Sequence, residues 1–536
     1  MSVCASYSEL GIAKGMAMKR IWLWISAMLV CVPAAGTLFA AEKLYDVRDY
    51  GAEADGKTLC TQAIQKAIDE CSKSGGGTVY LAGGTFVSGT LVIKTGVTLH
   101  LAAGCTLLGS ADLNDYPPKV QEFRSYTDNY TDKSLIYAEK ADRIAIIGRG
   151  AIDGRGQAFK GPYKVRPYII RFIQCTGVTV EDITIENSPM WVQHYLACDD
   201  VRVSGVTVRS RVNGNNDGIN IDCSQNVRIS DCDIWSGDDA IVLKSTAERP
   251  CRNVVVSNCV LSSICNGLKM GTESNGGFEN IAISNCAVYD TRLAGLALEI
   301  VDGGTMDRVV VSNITMSGVG APIFVRLGNR ARPYKTDMDK PQVGTLRNVT
   351  ISNIEATACG PTGCAISGLP EKRIENLTLS NIRLSFEGGG AKAEAARAVP
   401  EKPEAYPEYS MFGSLPGYGF FCRHVNGLKL SNVQVQLGKD DGRHAIVLDN
   451  VEDAVIDGFD APAVPDGSST IRLSQTKDVL IRGCRPRAGT DVFLEVQGAK
   501  SEGVVLAGND FRGAEKVLVS GQDVAKTAVS QTGNAP

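Results

Sequence analysis

Aromatic residues are scarce, at 6% of 536 residues, while glycine stands at 57. That balance disfavours a helical bundle and favours many strands joined by tight turns. Positive charge is not in excess: 55 Lys and Arg face 59 Asp and Glu, for a net charge of −4. Nothing in that balance calls for a nucleic-acid partner. The apolar run Ile21–Val32 covers twelve residues, whereas a bilayer-spanning helix needs about 20. Paired C-x-x-C spacing is missing although there are 17 cysteines. Setting aside Cys4 and Cys31 leaves an odd number, which argues against a disulfide framework or a zinc site.

What is present is a folded chain, 44% hydrophobic and 21% charged, with length for one to four ordinary domains. Residues 1–41 read as a signal peptide. Lys19 and Arg20 precede the apolar run, then come Pro33 and small residues to Ala41. Cleavage is expected near Ala40 or Ala41, with Met16 or Met18 as alternative starts. The mature chain, 42–536, is then expected to be secreted or periplasmic.

A short phrase recurs through that chain: an Asn- or Asp-like residue, then V-x-[IV]-[ST]-[ND]. It reads GVTVEDITI at 177–185, DVRVSGVTV at 200–208, NVRISDCDI at 226–234 and NVVVSNCVL at 253–261. It continues at 280–288, 308–316, 348–356 and 376–384, with weaker copies from Gly427, Asp453, Asp478 and Gly503. Each copy is two short strands with a bend, apolar and polar residues alternating. One copy cannot bury its apolar side alone, and stacked copies bury a continuous core. The expected fold is all-β: a right-handed, single-stranded parallel β-helix. Asn at the bends is expected to form side-chain ladders. Cys232, Cys259 and Cys286, 27 residues apart, are expected to be buried thiols.

An amphipathic helix is expected from about Leu59 to Cys71, capped by Thr58, with Ile64, Ala67, Ile68 and Cys71 on its buried side. It would cover the open end of the solenoid. Two stretches break the repeat and are expected as insertions, near 326–343 and 387–420. The second is rich in Pro and aromatics, and partial order is expected from packing of Tyr406, Tyr409, Phe412, Tyr418 and Phe420.

Between Asn213 and Ser245 the chain holds three aspartates, Asp217, Asp238 and Asp239, in two Gly-punctuated turns. The step from Asp217 to Asp238 is nearly one coil, placing the turns on neighbouring rungs about 4.8 Å apart. Three carboxylates then converge on one side of the solenoid, a costly arrangement that often does chemistry.

These motifs resemble glycoside hydrolase family 28, the polygalacturonases and rhamnogalacturonan hydrolases. Family members carry Asn-Thr-Asp and then Gly-Asp-Asp on successive coils. Here the motifs read Asn215-Asn216-Asp217 and Gly237-Asp238-Asp239. The opening YDVRDYGAEADGKT also looks like that of pectin-acting β-helix enzymes. Two family motifs differ. The Gly-His-Gly segment appears as Cys265-Asn266-Gly267, and Arg-Ile-Lys falls on Ala297-Leu298-Glu299. In polygalacturonases those basic residues help hold the galacturonate carboxylate. The segment Gly271 to Gly277, containing Glu273, and Lys244 resemble their equivalents in exo-acting relatives.

The resemblance implies inverting hydrolysis of α-linked galacturonate bonds in pectin, exo-acting on polygalacturonan or rhamnogalacturonan. One carboxyl protonates the leaving oxygen, and a carboxylate activates water about 6.5–9.5 Å away. By resemblance Asp238 is the acid, while Asp217 and Asp239 activate the water. The resemblance also implies Asn215 and Glu273 as substrate contacts, and residue type and spacing add Lys244, Asn266, Lys269, Glu299, Arg326 and Arg330. Counted from the anchor valines, Asn266 stacks one rung from Asp239, to bind substrate or orient water. The lysines would replace the solvation of a uronate. Arg326 and Arg330 are expected to form a carboxylate clamp, Trp191 and His194 a sugar-stacking wall, with Trp191 equally placed to be core, and His424 a structural contact.

Two other readings are weighed. A calcium-dependent pectate lyase would use the aspartates for metal and an Arg or Lys as base. A non-enzymatic solenoid would bind carbohydrate without needing the trio. No cofactor and no metal are expected, the substrate is a pectic polysaccharide or oligosaccharide, and a monomer is expected because a closed solenoid hides its strand edges.

Overall fold

The computed structural model describes residues 43–536; the leader expected at 1–41 lies outside the described residues. Thirty-six strands form one sheet system wound into a parallel β-helix. Parallel strands joined by crossovers wind right-handed because of strand twist. The repeat sets the register residue by residue. Val201 pairs with Val227, Val227 with Val254, Val254 with Ile281, and Ile281 with Val309. The column continues through Val349, Leu377, Leu428, Ala454, Val479 and Val504 to Val529. All of these side chains are buried, apart from partly exposed Val529 at the far end.

The bends are made by asparagine. Asn258, Asn285, Asn313, Asn353, Asn381 and Asn432 have φ between 52° and 57°, a left-handed conformation that Asn tolerates better than most side chains. Their amides form a ladder along the solenoid, each donating to the one before it at 2.9–3.5 Å. None of the fifteen cysteines described forms a disulfide among the described residues, and only Cys265 is not buried.

The expected helix forms as Thr61–Lys73, with Ile64, Ala67, Ile68 and Cys71 buried. Its start differs from the expectation. Asp55 takes the N–H and hydroxyl of Thr58 at 2.8 Å each, and Asp55–Leu59 is extended against Gly84–Ser88. Thr58 is therefore a turn residue rather than a cap.

The two insertions are shorter than expected. Arg326 and Leu327 still belong to the strand Thr305–Leu327, leaving 328–344 as the loop. Strand Ile374–Gly388 and strand Gly417–Lys439 leave 389–416 as a lobe. Tyr418 and Phe420 accordingly pack in the solenoid core. Phe412 and Leu415 instead bury themselves on an outward-facing column, Ala297, Phe324, Ala365, Phe421 and Val447. Each such side chain contributes about 1.5–3 kcal/mol on leaving water, which fixes the lobe against the coils just beyond the aspartates.

Candidate active site

The coil between the two aspartate turns is short. Ile219 pairs with Ile241, a step of 22, while Ile241 pairs with Leu268, a step of 27. Asp217 therefore stacks beside Asp239, and Asp239 beside Asn266. The cross-coil bonds Gly218 N–H to Asp239 O and Ala240 N–H to Asn266 O, both 2.9 Å, carry that stack.

Buried polar contacts hold both turns. Asn216 is fully buried and donates to Ser188 O and Met190 O at 2.9 and 3.0 Å. It accepts from Ser210 Oγ and Asn213 N–H, both at 3.1 Å. In the second turn, the hydroxyls of Ser236 and Ser263 each donate to Asp238 O at 2.6 Å. Asp238 Oδ1 accepts from the N–H of Asp239 at 2.9 Å. Asn215 Nδ2 reaches Asp238 Oδ2 at 3.5 Å.

Each aspartate has a different environment. Asp239 accepts from Asn266 N–H at 3.1 Å and Nδ2 at 2.8 Å, and faces Lys269 Nζ at 3.4 Å. Burial pushes Asp217 well above the usual carboxylate range, and the charge of Asp238 adds to it, although Lys244 Nζ stands at 3.6 Å. Burial and the Asp239 charge raise Asp238 likewise. The three carboxyls thus sit in unequal surroundings, two of them pressed by burial and like charge and Asp239 met by three donors, the kind of inequality that acid–base cleavage uses.

Around the trio, cations and carboxylates alternate. Lys244 lies between Asp217 and Glu273, 3.6 Å from each, with its ammonium 4.9 Å above the Trp191 ring. Lys269 lies between Asp239 and Glu299, the latter at 3.8 Å. Glu273 is also paired with Arg332 and lies 3.9 Å from Arg330. Burial opposes its ionisation, but Lys244 and the two arginines outweigh burial and hold it well below the usual range. Arg330 is held by Asp302, Nε to Oδ1 at 2.9 Å. Burial raises Glu299 to about 8 against the pull of Lys269; its Oε2 accepts from Thr272 at 3.2 Å and its Oε1 has no partner.

The structure therefore brings Asn215, Lys244, Asn266, Lys269, Glu273, Glu299 and Arg330 around the aspartates. Asn266 is 1% exposed and its Oδ1 accepts from Ala294 N–H at 3.0 Å. With both ends of the amide engaged, it orients Asp239 and does not reach a sugar. Arg326 is a correction. Its guanidinium is buried and donates to Ser367 Oγ, Gly368 O, Glu401 O and Lys402 O at 2.9–3.1 Å, so no clamp with Arg330 forms. It ties the lobe to the solenoid.

The sugar-stacking wall does not form either. His194 is fully buried, bonded to Asp222 at 3.1 Å and stacked 5.6 Å from Tyr168, and Trp191 is 4% exposed. His424 is structural: it joins Asn450 at 2.8 Å to Glu401 of the lobe at 3.0 Å.

Sequence reasoning missed three groups. Arg332 pairs with Glu273 and lies 3.5 Å over the Tyr126 ring. Tyr406, expected only to help order the insertion by packing, is 55% exposed and stands over Lys269 and Arg330, 5.7 and 5.6 Å from their charges. Glu408 is within electrostatic reach of Lys269, Asp239 and Asp238, and burial raises it to about 7. None of the three lies in a repeat, so no period marks them.

For metal, the one clustered donor set among the described residues is Asp238, Asp239 and the Cys265 thiol, within 4.8 Å of one another. Calcium takes six to eight oxygen ligands. Two carboxylates and a thiol, one carboxylate already facing Lys269, do not fit it, which counts against the lyase reading.

Comparison with known proteins identifies the family. The family model "Glycosyl hydrolases family 28" matches residues 84–404. A probable polygalacturonase of Vitis vinifera is 26% identical over 380 residues, covering 66% of this chain and 75% of its own. An exo-poly-alpha-D-galacturonosidase of Dickeya chrysanthemi is 24% identical over 443 residues, covering 65% and 72%. The solved exopolygalacturonase of Thermotoga maritima shares the fold, with a TM-score of 0.56 at 23% identity, over 64% of this chain and 87% of that one. The family match spans more than half the chain and contains the aspartate trio: this protein belongs to glycoside hydrolase family 28.

Proposed function

We propose that the chain is an inverting, exo-acting hydrolase of α-linked galacturonate-containing polymers of pectin, working outside the cytoplasm as a monomer. The observation that carries the reading is the unequal trio on two adjoining coils. Asp238, raised by burial and by Asp239, protonates the leaving oxygen. Asp239, held by two donors from Asn266 and by Lys269, activates water on the opposite face of the sugar; the family resemblance adds Asp217 to that role, with Lys244 at 3.6 Å working against the rise that burial imposes on it. Lys244 and Lys269 keep the remaining negative charge tolerable. Exo action is supported by the lobe 389–416, whose Tyr406 overhangs Lys269 and Arg330, and by exo-acting relatives. The expected leader at 1–41 supports export.

The test is product analysis on polygalacturonan and on rhamnogalacturonan in chelator, with wild type and Asp238→Asn in parallel. Saturated mono- or disaccharide from wild type alone, released with inverted anomeric configuration in proton NMR, is the expected result. Loss of general-acid catalysis costs about 10²–10⁴-fold. Unsaturated product, or activity abolished by chelator, refutes the reading.

A further inference from the structure

Past the lobe, the side of the solenoid that carries the aspartates opens again. The outward column of Lys269 runs through Ala297, Phe324, Ala365, Phe421 and Val447 to Arg472, Glu495 and Val519. Phe412 and Leu415 of the lobe pack on the stretch from Ala297 to Val447. The last three residues line an open cavity of about 470 Å³, together with Lys392 of the lobe, His444 and Ser469. That size suits a small ligand. Six rungs of about 4.8 Å separate Arg472 from Lys269, about 29 Å in all, so the cavity lies outside the aspartate cleft.

Several of its polar groups are only partly used by the protein. Arg472 donates through Nη1 to Ala395 O, while its buried Nε has no partner, and its Nη2 has none among the described residues. Glu495 and Asp449 act on its charge from a distance, and neither forms an ion pair with it. Lys392 is exposed and has no ion-pair partner among the described residues. A guanidinium partly removed from water without a counter-charge in contact is costly, and an incoming carboxylate would relieve that cost. His444 Nδ1 lies 2.8 Å from Ser469 O. A carbonyl only accepts, so Nδ1 carries the proton. Burial and the charge of Arg472 hold the pKa of the ring down at about 4, so at neutral pH Nε2 keeps a lone pair, with no protein partner among the described residues. Ser469 Oγ donates to Glu495 Oε2 at 3.2 Å, which orients that carboxylate and leaves it further lone pairs.

We infer that this cavity is a second, non-catalytic binding site for an acidic sugar, which sets its carboxylate on Arg472 and Lys392 and its hydroxyls on His444 Nε2 and Glu495. The two cations call for a negative group, and the two acceptors call for hydroxyls. A uronate carries both on one ring. An inorganic anion would satisfy the cations alone and meet Glu495 as a like charge. Val519, 40% exposed, offers apolar surface to the C–H side of the ring. A free sugar acid and a uronate within a chain share this chemistry. The site does not cut its ligand, so the inference stands apart from the hydrolase reading.

Calorimetry on the Asp238→Asn protein reads binding of galacturonate, of its tetramer and of galactose. The aspartate cleft would bind uronates too, so the readout is the part of the binding that Arg472→Gln removes. That part is expected with galacturonate and to be at least tenfold weaker with galactose. A monomer that binds as tightly as the tetramer supports the site with a free sugar acid as its ligand, and a tetramer that binds tenfold tighter supports it with a chain. Arg472→Gln also loses the bond to Ala395 of the lobe, so Val519→Glu, two rungs further on, tests charge alone. It is expected to weaken galacturonate tenfold or more and galactose less than twofold. Equal affinity for galactose overturns the inference, as does wild-type affinity for galacturonate in either the Arg472→Gln or the Val519→Glu protein. Hydrolysis of pectic chains by the wild type without Arg472-dependent binding removes this site and leaves the hydrolase reading standing. Arg472-dependent binding without hydrolysis of any pectic chain does the opposite.

Discussion

Asn266→Ala removes an amide that bridges two coils. Its Nδ2 donates to Asp239 Oδ1 at 2.8 Å and its Oδ1 accepts from Ala294 N–H at 3.0 Å. After the change Asp239 keeps the backbone N–H of residue 266 at 3.1 Å and Lys269 at 3.4 Å. Losing a hydrogen bond to a charged group costs about 1.5–3 kcal/mol, and orphaning the buried Ala294 N–H about 1–3 more. A folding loss of roughly 3–5 kcal/mol follows. For a chain of this size the unfolding entropy is about 1 kcal/mol/K, so Tm falls only about 3–5 °C and the variant can be assayed folded. The catalytic loss is bounded by the bond to Asp239, about 3 kcal/mol, or roughly 100-fold in kcat. KM should not move, because the amide does not reach the groove. Initial rates of reducing-end release, with calorimetry for Tm, read both effects. A tenfold rise in KM at unchanged kcat would refute the argument and make Asn266 a sugar contact.

Two further substitutions test the surroundings. Glu299, pushed up to about 8 by burial, holds in the folded state a proton that the unfolded chain releases above about pH 4.3. Its contribution to stability therefore falls as pH rises from about 4.3 to 8 and is flat beyond, by on the order of 5 kcal/mol at most. Urea unfolding of Glu299→Gln should show a shallower decline than wild type across that window, and equal slopes sink the assignment. Arg326→Met removes a charged donor from the carbonyls of Gly368, Glu401 and Lys402. Limited proteolysis should then cut within 389–416 several-fold faster while the coils resist. Unchanged cutting means that Arg423, which donates to Val399 O and Pro400 O at 2.7 and 3.1 Å, holds the lobe alone.

Much of the site was legible in the sequence because it lies inside the repeat. Counting from the anchor valines places Asn266 beside Asp239, and the cross-coil bonds agree. The same counting puts Lys244 and Lys269 at the trio. It fails once a residue leaves the period. Arg326 and Arg330, with only Leu, Gly and Asn between them, read as one clamp, yet Arg326 is the last outward residue but one of its strand and points under the lobe, while Arg330 turns to Asp302. His194 and Trp191 read as a wall because aromatic and imidazole groups suit sugars, but the aromatic cluster of Tyr130 and Tyr168 covers them.

The repeat by itself determined the solenoid, the stacking of like on like, the asparagine bends and the meeting of three aspartates. Each follows from local alternation and a fixed rise per coil, both of which are written in the order of residues. Only the tertiary structure decided what faces those aspartates from outside. The lobe 389–416 has no period, and its path is set by where Phe412 and Leu415 find an uncovered apolar column and where Arg326 and Arg423 find carbonyls. That docking, rather than any motif, brings Tyr406 and Glu408 to Lys269, because burial and charge pairing between distant segments depend on their distance in space and not along the chain.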